Sequence, residues 1–185
     1  MTKSILAFAL AAAAASPSFA ATTYEIDPAH AAALFKVSHI GYSYTWGRFN
    51  DISGTITWGD DTKSVKVVIK TESIDTGTAK KDEHLRSGDF FSAKEFPEMT
   101  FTASKVEDKG DNLYHVTGTF SLHGVSKEIT VPVIKMAEGK DPWGKTRIGF
   151  DATFTIKRSD FGMTYMPEGI GDEVTIVFAV EAVAG

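Results

Sequence analysis

The sequence predicts an all-β domain whose long antiparallel strands close on themselves as a barrel. Three observations predict it. Apolar residues recur at every second position along most of the chain, turn-forming residues separate the alternating runs, and one stretch, 75–97, breaks the pattern. Clean alternation over a long run excludes a helix, whose side chains repeat every 3.6 residues rather than every second one.

In chain order, Tyr24–Ile26 is the first short run, and Phe35, Val37 and His39 then share one parity against Lys36 and Ser38. Phe49–Trp58 follows, and Val65, Val67 and Ile69 alternate with Lys66, Val68 and Lys70. Met99, Phe101 and Ala103 face away from Thr100, Thr102 and Ser104. Tyr114, Val116, Gly118, Phe120 and Leu122 run against His115, Thr117, Thr119, Ser121 and His123. Ile129, Val131 and Val133 continue the pattern, then Ile148, Phe150, Ala152, Phe154 and Ile156, and Val174, Ile176, Phe178 and Val180 close it. These runs make roughly eight or nine strands. Turn signals fall at Gly59-Asp60-Asp61, at Asp108 with Gly110-Asp111-Asn112, at His123-Gly124, and over Glu138–Gly144 with Pro142. Between Asp75 and Pro97 the alternation stops; Thr78–Ser87 reads as a short helix, and Phe90, Phe91 and Phe96 cluster after it. Such an insertion in an all-β domain is functional or caps an open barrel end.

The first twenty residues read as a secretory signal peptide. Met1-Thr2-Lys3-Ser4 is short and basic, Ile5–Ala15 is apolar, Ser16-Pro17 interrupts, and Ser18-Phe19-Ala20 sets small residues before a cut at Ala20–Ala21. The apolar run is shorter than the ~20 residues that span a bilayer. The remainder, 21–185, is one domain of adequate size for its own core. Loss of Lys3 takes the net charge from −5 to −6. An acidic chain with no basic run is ill suited to a phosphate backbone, so nucleic acid is not an expected partner. Cysteine is absent, so neither a disulfide framework nor a lipidated cysteine is expected. No later segment reads as membrane-spanning; the Val174–Ala184 run is broken by Thr175 and Glu181. A periplasmic, or in a one-membrane host secreted, protein is the expectation.

Strands with one apolar face bury it in a sandwich or in a closed barrel, and closure also removes exposed edges. About eight strands enclose a space that holds either side chains or one small ligand. Periodicity alone favours the filled form, since alternation identifies a face and not what the face touches. The chain holds 13 Phe against 3 Trp and 5 Tyr, and Phe brings bulk without a polar tip. That suits a hydrocarbon pocket and an ordinary core alike.

An ordered set of motifs adds to this. Tyr24-Glu25-Ile26-Asp27-Pro28-Ala29-His30 is followed by Phe35-Lys36-Val37-Ser38-His39, Gly47-Arg48-Phe49 and Ser73-Ile74-Asp75-Thr76-Gly77. Asp82-Glu83-His84-Leu85-Arg86-Ser87 leads to Asp89-Phe90-Phe91 and Phe96-Pro97. Gly118–Val125, Arg158-Ser159-Asp160-Phe161-Gly162-Met163 and Gly171-Asp172-Glu173-Val174 complete the set. In these motifs, from about Tyr24 to Ala182, the chain resembles the YceI-like family of exported, polyisoprenoid-binding proteins. The resemblance implies an eight-stranded antiparallel, lipocalin-like barrel with a short helical insertion at one end, and an apolar tunnel for a polyprenyl or other long-chain lipid. The chain departs from the pattern at Ala31, where a small hydroxyl residue usually follows the first histidine.

Parity and motif together name an expected ligand wall: Phe35, Val37, His39, Phe49, Ile69, Phe90, Phe91, Phe101, Phe120, Leu122, Phe154, Phe161 and Met163. Of the inward residues, Phe35, Val37, Phe49, Phe120, Leu122, Phe161 and Met163 also fall in the motifs; Ile69, Phe101 and Phe154 rest on parity alone. His30 and Arg158 are the candidate head-group contacts, with backbone bonding for the histidines and pairing of Arg158 to Asp160 or Asp172 as the competing reading. Asp75, Asp82, His84 and Arg86 form a polar set, but Asp82 and His84 do not face one another on a helix, so capping accounts for the set better than a metal does. His115 and His123 stand roughly 26 Å apart along one strand and cannot share a site. With no Cys, no Gly-x-Ser-x-Gly elbow and no phosphate-cradling loop, no catalytic residue, cofactor or metal is expected. The expected function is sequestration or transport of a long-chain isoprenoid-type lipid, a polyprenyl or an isoprenoid quinone. Two alternatives stand beside it: an envelope hydrolase acting on a lipid or amide, and an envelope protein-interaction module with a filled barrel. A homodimer is left open.

Overall fold

The structure, a computed structural model, describes residues 21–185. The segment read as a signal peptide lies outside the described residues. Ten strands and one helix follow in order: β1 (Thr22–His39), β2 (Ser43–Phe49), β3 (Ile52–Trp58), β4 (Lys63–Lys70), β5 (Ile74–Asp75), α1 (Ala79–Arg86), β6 (Glu98–Asp108), β7 (Leu113–Leu122), β8 (Val125–Lys140), β9 (Thr146–Lys157) and β10 (Ile170–Ala184). Short 3-10 turns stand at Thr71–Ser73 and Arg158–Phe161.

Eight of these strands close the expected antiparallel barrel. The sheet runs β10-β9-β8-β7-β6-β4-β3-β1, and β10 pairs back onto β1 from Tyr24↔Ala184 to His39↔Ile170. The two runs read as separate, Tyr24–Ile26 and Phe35–His39, are one long strand. Asp27–His30 bulges out of it, where the pairing jumps from Ile26↔Ala182 to Ala31↔Val180. The run read as Phe49–Trp58 is instead two strands. Asn50 and Asp51 leave the ladder because their N–H groups turn to Ser73, through its carbonyl at 3.1 Å and its Oγ at 3.0 Å. On either side of this break β3 pairs with the start of β1 and β2 with its end. The turn expected over Glu138–Gly144 is shorter, because β8 stays paired with β9 as far as Lys140↔Thr146. The His123-Gly124 turn joins β7 to β8 with both residues at positive φ, 52° and 74°, the geometry that matches hairpin twist.

The two ends of the barrel differ. At one end Trp58 packs edge-on to Tyr114 with centroids 4.9 Å apart and lies 4.8 Å from Phe150. Tyr24, Ile148 and Ala182 are at most 1 % exposed beside them, so this end is a solid plug. The Tyr24 hydroxyl donates to Glu138 Oε1 at 2.7 Å, and burial first, then that carboxylate, pushes its pKa up to about 12. The insertion after β5, the Arg158–Phe161 turn, the 162–169 loop and the β1–β2 hairpin all gather at the opposite end.

Candidate functional site

Behind the plug the barrel is hollow. The space runs from Trp58 and Phe150 to Phe91, Leu122 and Met163 near the far end, and its empty volume is about 1210 Å³, part of it open to solvent. Its lining is apolar except for Asp151, whose neighbours Phe150 and Ala152 hold the inward positions. The hollow also explains a burial pattern that a filled barrel would not show. Inward-facing Phe101, Phe154, Ile156, Val174, Ile176 and Phe178 are only half-buried, because each looks onto empty space. Two glycines let aromatic rings lie flat along the wall. A Cβ at Gly47 would collide with the Phe35 ring, and one at Gly118 would come within 2.8 Å of Phe101 Cζ. Rings laid over glycine thicken the wall without crossing the lumen.

Nine of the expected wall residues line this space: Phe35, Phe49, Ile69, Phe91, Phe101, Phe120, Leu122, Phe154 and Met163. Phe35, Phe49 and Phe91 stack in sequence, with centroid separations of 5.8 and 5.4 Å. The other four lie off the hollow. Val37 has the inward parity but sits two residues from the end of β1, beyond the lined stretch. His39 is exposed where β1 turns into β2. Phe90 is buried against His84 and Tyr165, with centroids 5.1 and 5.2 Å away, and ties α1 to the 162–169 loop. Phe161 is 1 % exposed and packs edge-on to Phe120 at 5.4 Å, behind the lining. The expected wall left out Ala33, Val65, Val67, Met99, Val116 and several others of the same kind. Most of them occupy the inward positions of strands already recognised.

Neither head-group candidate reaches the hollow. His30 stands on the bulge of β1, its Nδ1 2.9 Å from Asp27 Oδ2. Asp27 also accepts from Arg147 at 2.8 Å; Arg147 first, and His30 next, hold its carboxyl down at about 2. Arg147 further binds Asp141 at 2.8 Å and Glu181 at 3.2 Å, so this cluster braces the plugged end. Arg158 is 5 % exposed and bonds neither an acid nor an open mouth. Its Nε donates to Gly171 O at 3.0 Å, and its two terminal nitrogens donate to Met163 O at 2.7 Å and Ile170 O at 2.9 Å. Burial pushes this guanidinium below its ordinary pKa. The acids expected to pair with it are engaged elsewhere: Asp160 with Lys127 at 3.1 Å, Asp172 with the Ser159 amide and hydroxyl at 2.9 Å.

The polar set of the insertion is likewise structural. Buried Asp82 accepts from the Thr76 amide at 2.8 Å and its hydroxyl at 2.6 Å, and Arg86 donates to the carbonyls of Glu72 and Ile74 at 2.8 and 3.1 Å. His84 Nε2 lies 2.8 Å from Asp89. Among the described residues no three His, Asp or Glu side chains are grouped to hold a metal, and no helix is long and apolar enough to cross a membrane.

One part of the wall is open, and alternation could not reveal it. The β8–β9 ladder ends at Val133↔Ala152, so 125–131 of β8 and 153–157 of β9 run without bonding each other. A cleft lined by Lys127, Ile129, Thr155 and Ile156 occupies this seam, with Phe161 at its base. The Lys127–Asp160 pair spans it, and Lys127 Nζ stands 6.0 Å above the Phe161 ring.

The fold and sequence have relatives. A YceI-like domain matches residues 24–182. Protein YceI of Salmonella arizonae is 40 % identical over 189 residues, covering 99 % of this chain and 98 % of that protein. Among solved structures, BcnA of Burkholderia cenocepacia superposes with a TM-score of 0.77 at 27 % identity, over 85 % of this chain and 99 % of that one. The YCEI protein of Campylobacter jejuni gives 0.69 at 34 % identity, over 79 % and 88 %. A polyisoprenoid binding domain from Saccharophagus degradans shares the fold at a TM-score of 0.70 and 21 % identity, over 89 % and 99 %. A match across nearly the whole barrel, together with these overall similarities, makes this chain a member of the YceI-like family.

Proposed function

We propose that this chain is an exported binding protein that takes one long-chain isoprenoid-type lipid, a polyprenyl or an isoprenoid quinone, into its hollow and carries it through an aqueous periplasm. The observation that carries this reading is a continuous space, lined by apolar side chains on all sides but for Asp151, in a barrel with one end plugged. Removing the lipid chain from water supplies about 0.8 kcal/mol per methylene, offset by the ordering of the chain. The signal-like segment 1–20 supports export. The name of the Saccharophagus degradans domain is in keeping with the ligand class, although the choice of lipid rests on the shape and chemistry of the hollow. A non-catalytic role accords with a lining that offers no histidine or hydroxyl nucleophile.

Native mass spectrometry and solvent extraction of the purified chain test the proposal. A bound lipid, or stoichiometric uptake of added polyprenol or ubiquinone, is the expected result. Empty protein that takes up none of these would overturn it, and turnover of a lipid or amide substrate would replace it with the enzyme reading.

A further inference from the structure

Outside the barrel, the β1–β2 hairpin carries an exposed aromatic face that no packing explains. Register places Trp46 opposite Lys36 and Tyr44 opposite Ser38, on the outward face, while Phe35, Gly47 and Phe49 point in. Tyr44 and Trp46 are 59 % and 53 % exposed, and Tyr42 at the tip is 92 % exposed. Lys36 Nζ stands 4.9 Å from the Tyr44 centroid and 5.7 Å from that of Trp46. Ile40 and Met166, also exposed, sit at positive φ on two neighbouring loop tips, joined by the Ile40 amide donating to Gly169 O at 2.7 Å. A β-branched residue in the left-handed region is strained, and here burial does not offset the strain.

We infer that this hairpin face, with the Met166 tip beside it, is a docking surface for the headgroup layer of a phospholipid bilayer. The residue types fit that layer: Trp and Tyr rings settle at the level of the headgroups, and a lysine lying along them reaches phosphate with its ammonium. Position fits as well, since the hairpin rises from the open end, where Phe35 and Phe49 of the same two strands line the hollow. Charge permits contact with anionic lipid. Lys36 is the cation lying along these rings; of the neighbouring carboxylates, Asp75 stands opposite Arg48 and Glu173 opposite Lys157, so each faces a cation of its own. The other exposed apolar group, Ile134, Met136 and Trp143, lies at the plugged end among Lys135, Glu138 and Lys140, remote from the hollow. Docking here would bring the mouth against the layer that holds the lipid, so the inference rests on the hollow being a lipid site.

The test is flotation of the chain from Ala21 onward with vesicles of phosphatidylethanolamine and phosphatidylglycerol. Flotation is expected for the parent chain and for Trp143→Ser. The triple variant Tyr42→Ser/Tyr44→Thr/Trp46→Thr is expected to lose at least ten-fold in partitioning while its melting and its uptake of detergent-dispersed polyprenol stay at the parent level. In a Trp143→Phe background, Trp46 emission is expected to shift to the blue on vesicles. A parent chain that stays in the aqueous fraction overturns the inference, as does a triple variant that floats normally or a Trp143→Ser change with an equal loss. So does a stable dimer in vesicle-free solution that buries Trp46, because a second copy would then be the occupant. Failed flotation with intact polyprenol uptake overturns docking alone; failed uptake overturns the lipid reading beneath it.

Discussion

Ala152→Trp separates a hollow carrier from a filled core. Ala152 faces the space from β9, between Val133 of β8 and Phe178 of β10 in register. In a close-packed core, a side chain of that size forces neighbours off their rotamers and costs about 1–3 kcal/mol or more. Here the indole extends into empty volume, so the urea midpoint is expected to stay at or above that of the parent. The cost falls on capacity instead. An indole adds roughly nine non-hydrogen atoms beyond Cβ to that space, the equivalent of about two isoprene units. At about 0.8 kcal/mol per methylene, up to about 7 kcal/mol of gross burial is lost for a full-length ligand. The assay presents a ladder of polyprenols to parent and variant and reads the retained lengths by native mass spectrometry. The longest species held by the variant should be about two isoprene units shorter. A fall in the urea midpoint with an unchanged ladder would refute the reasoning, since the site would then be core and the ligand, if any, elsewhere.

Other expected outcomes follow from the same geometry. Phe161→Ala removes a ring that is 1 % exposed and should cost about 3–5 kcal/mol in urea unfolding; it should also speed lipid exchange, because the ring stands at the base of the seam. Arg158→Lys leaves at least one of the Met163, Ile170 and Gly171 carbonyls without its donor, about 1–3 kcal/mol, and hydrogen exchange should rise over 163–171. Asp27, held at about 2 against an ordinary 3.8, contributes stability that is present above pH 4 and lost as pH falls through 2; Asp27→Asn should flatten acid unfolding in that window. Amides of 125–131 that do not bond β7 should exchange faster than their counterparts in 133–140, and uniform protection along β8 would contradict an open seam.

Alternation in the sequence was enough to show which side chains face inward, and nine expected wall residues fell on the hollow for that reason. It could not show how far apart opposite walls stand, because parity carries no radial distance. Small inward residues were the unread signal: Ala33 and Ala152 line the space where a filled barrel would carry bulk. Parity also carries no axial position, so Val37 faces inward yet beyond the lined stretch. Phe161 lies in a 3-10 turn, where period-2 reasoning does not apply. Arg158 and Asp82 were visible as motif positions, but they bond the Gly171 carbonyl 13 residues away and Thr76 6 residues away, and no spacing rule links them; His30 bonds nearby Asp27, whose other partner, Arg147, is 120 residues away. The Asp27–His30 bulge and the seam escaped notice for a further reason: each depends on how two strands pair, and a single strand's pattern does not contain that.

The difference between the two ends bears on how a ligand would load. The plugged end is held by interlocked aromatic burial, and by Arg147 with three carboxylates drawn from β1, β10 and the β8–β9 turn. Opening it would expose Tyr24, Ile148 and Ala182, each at most 1 % exposed, together. At the other end, Asp82 and Arg86 anchor the insertion and Arg158 anchors the 162–171 segment, each by a few directed hydrogen bonds. The neighbouring seam lacks strand-to-strand bonds altogether, and its Lys127–Asp160 pair has both side chains at least 41 % exposed, where such a pair is worth at most about 1 kcal/mol. Local opening draws on the regions with the fewest buried contacts. On the proposed carrier reading, the barrel yields at the insertion and the seam while the plug stays folded, and a lipid would pass Phe91 and Phe161 rather than the base.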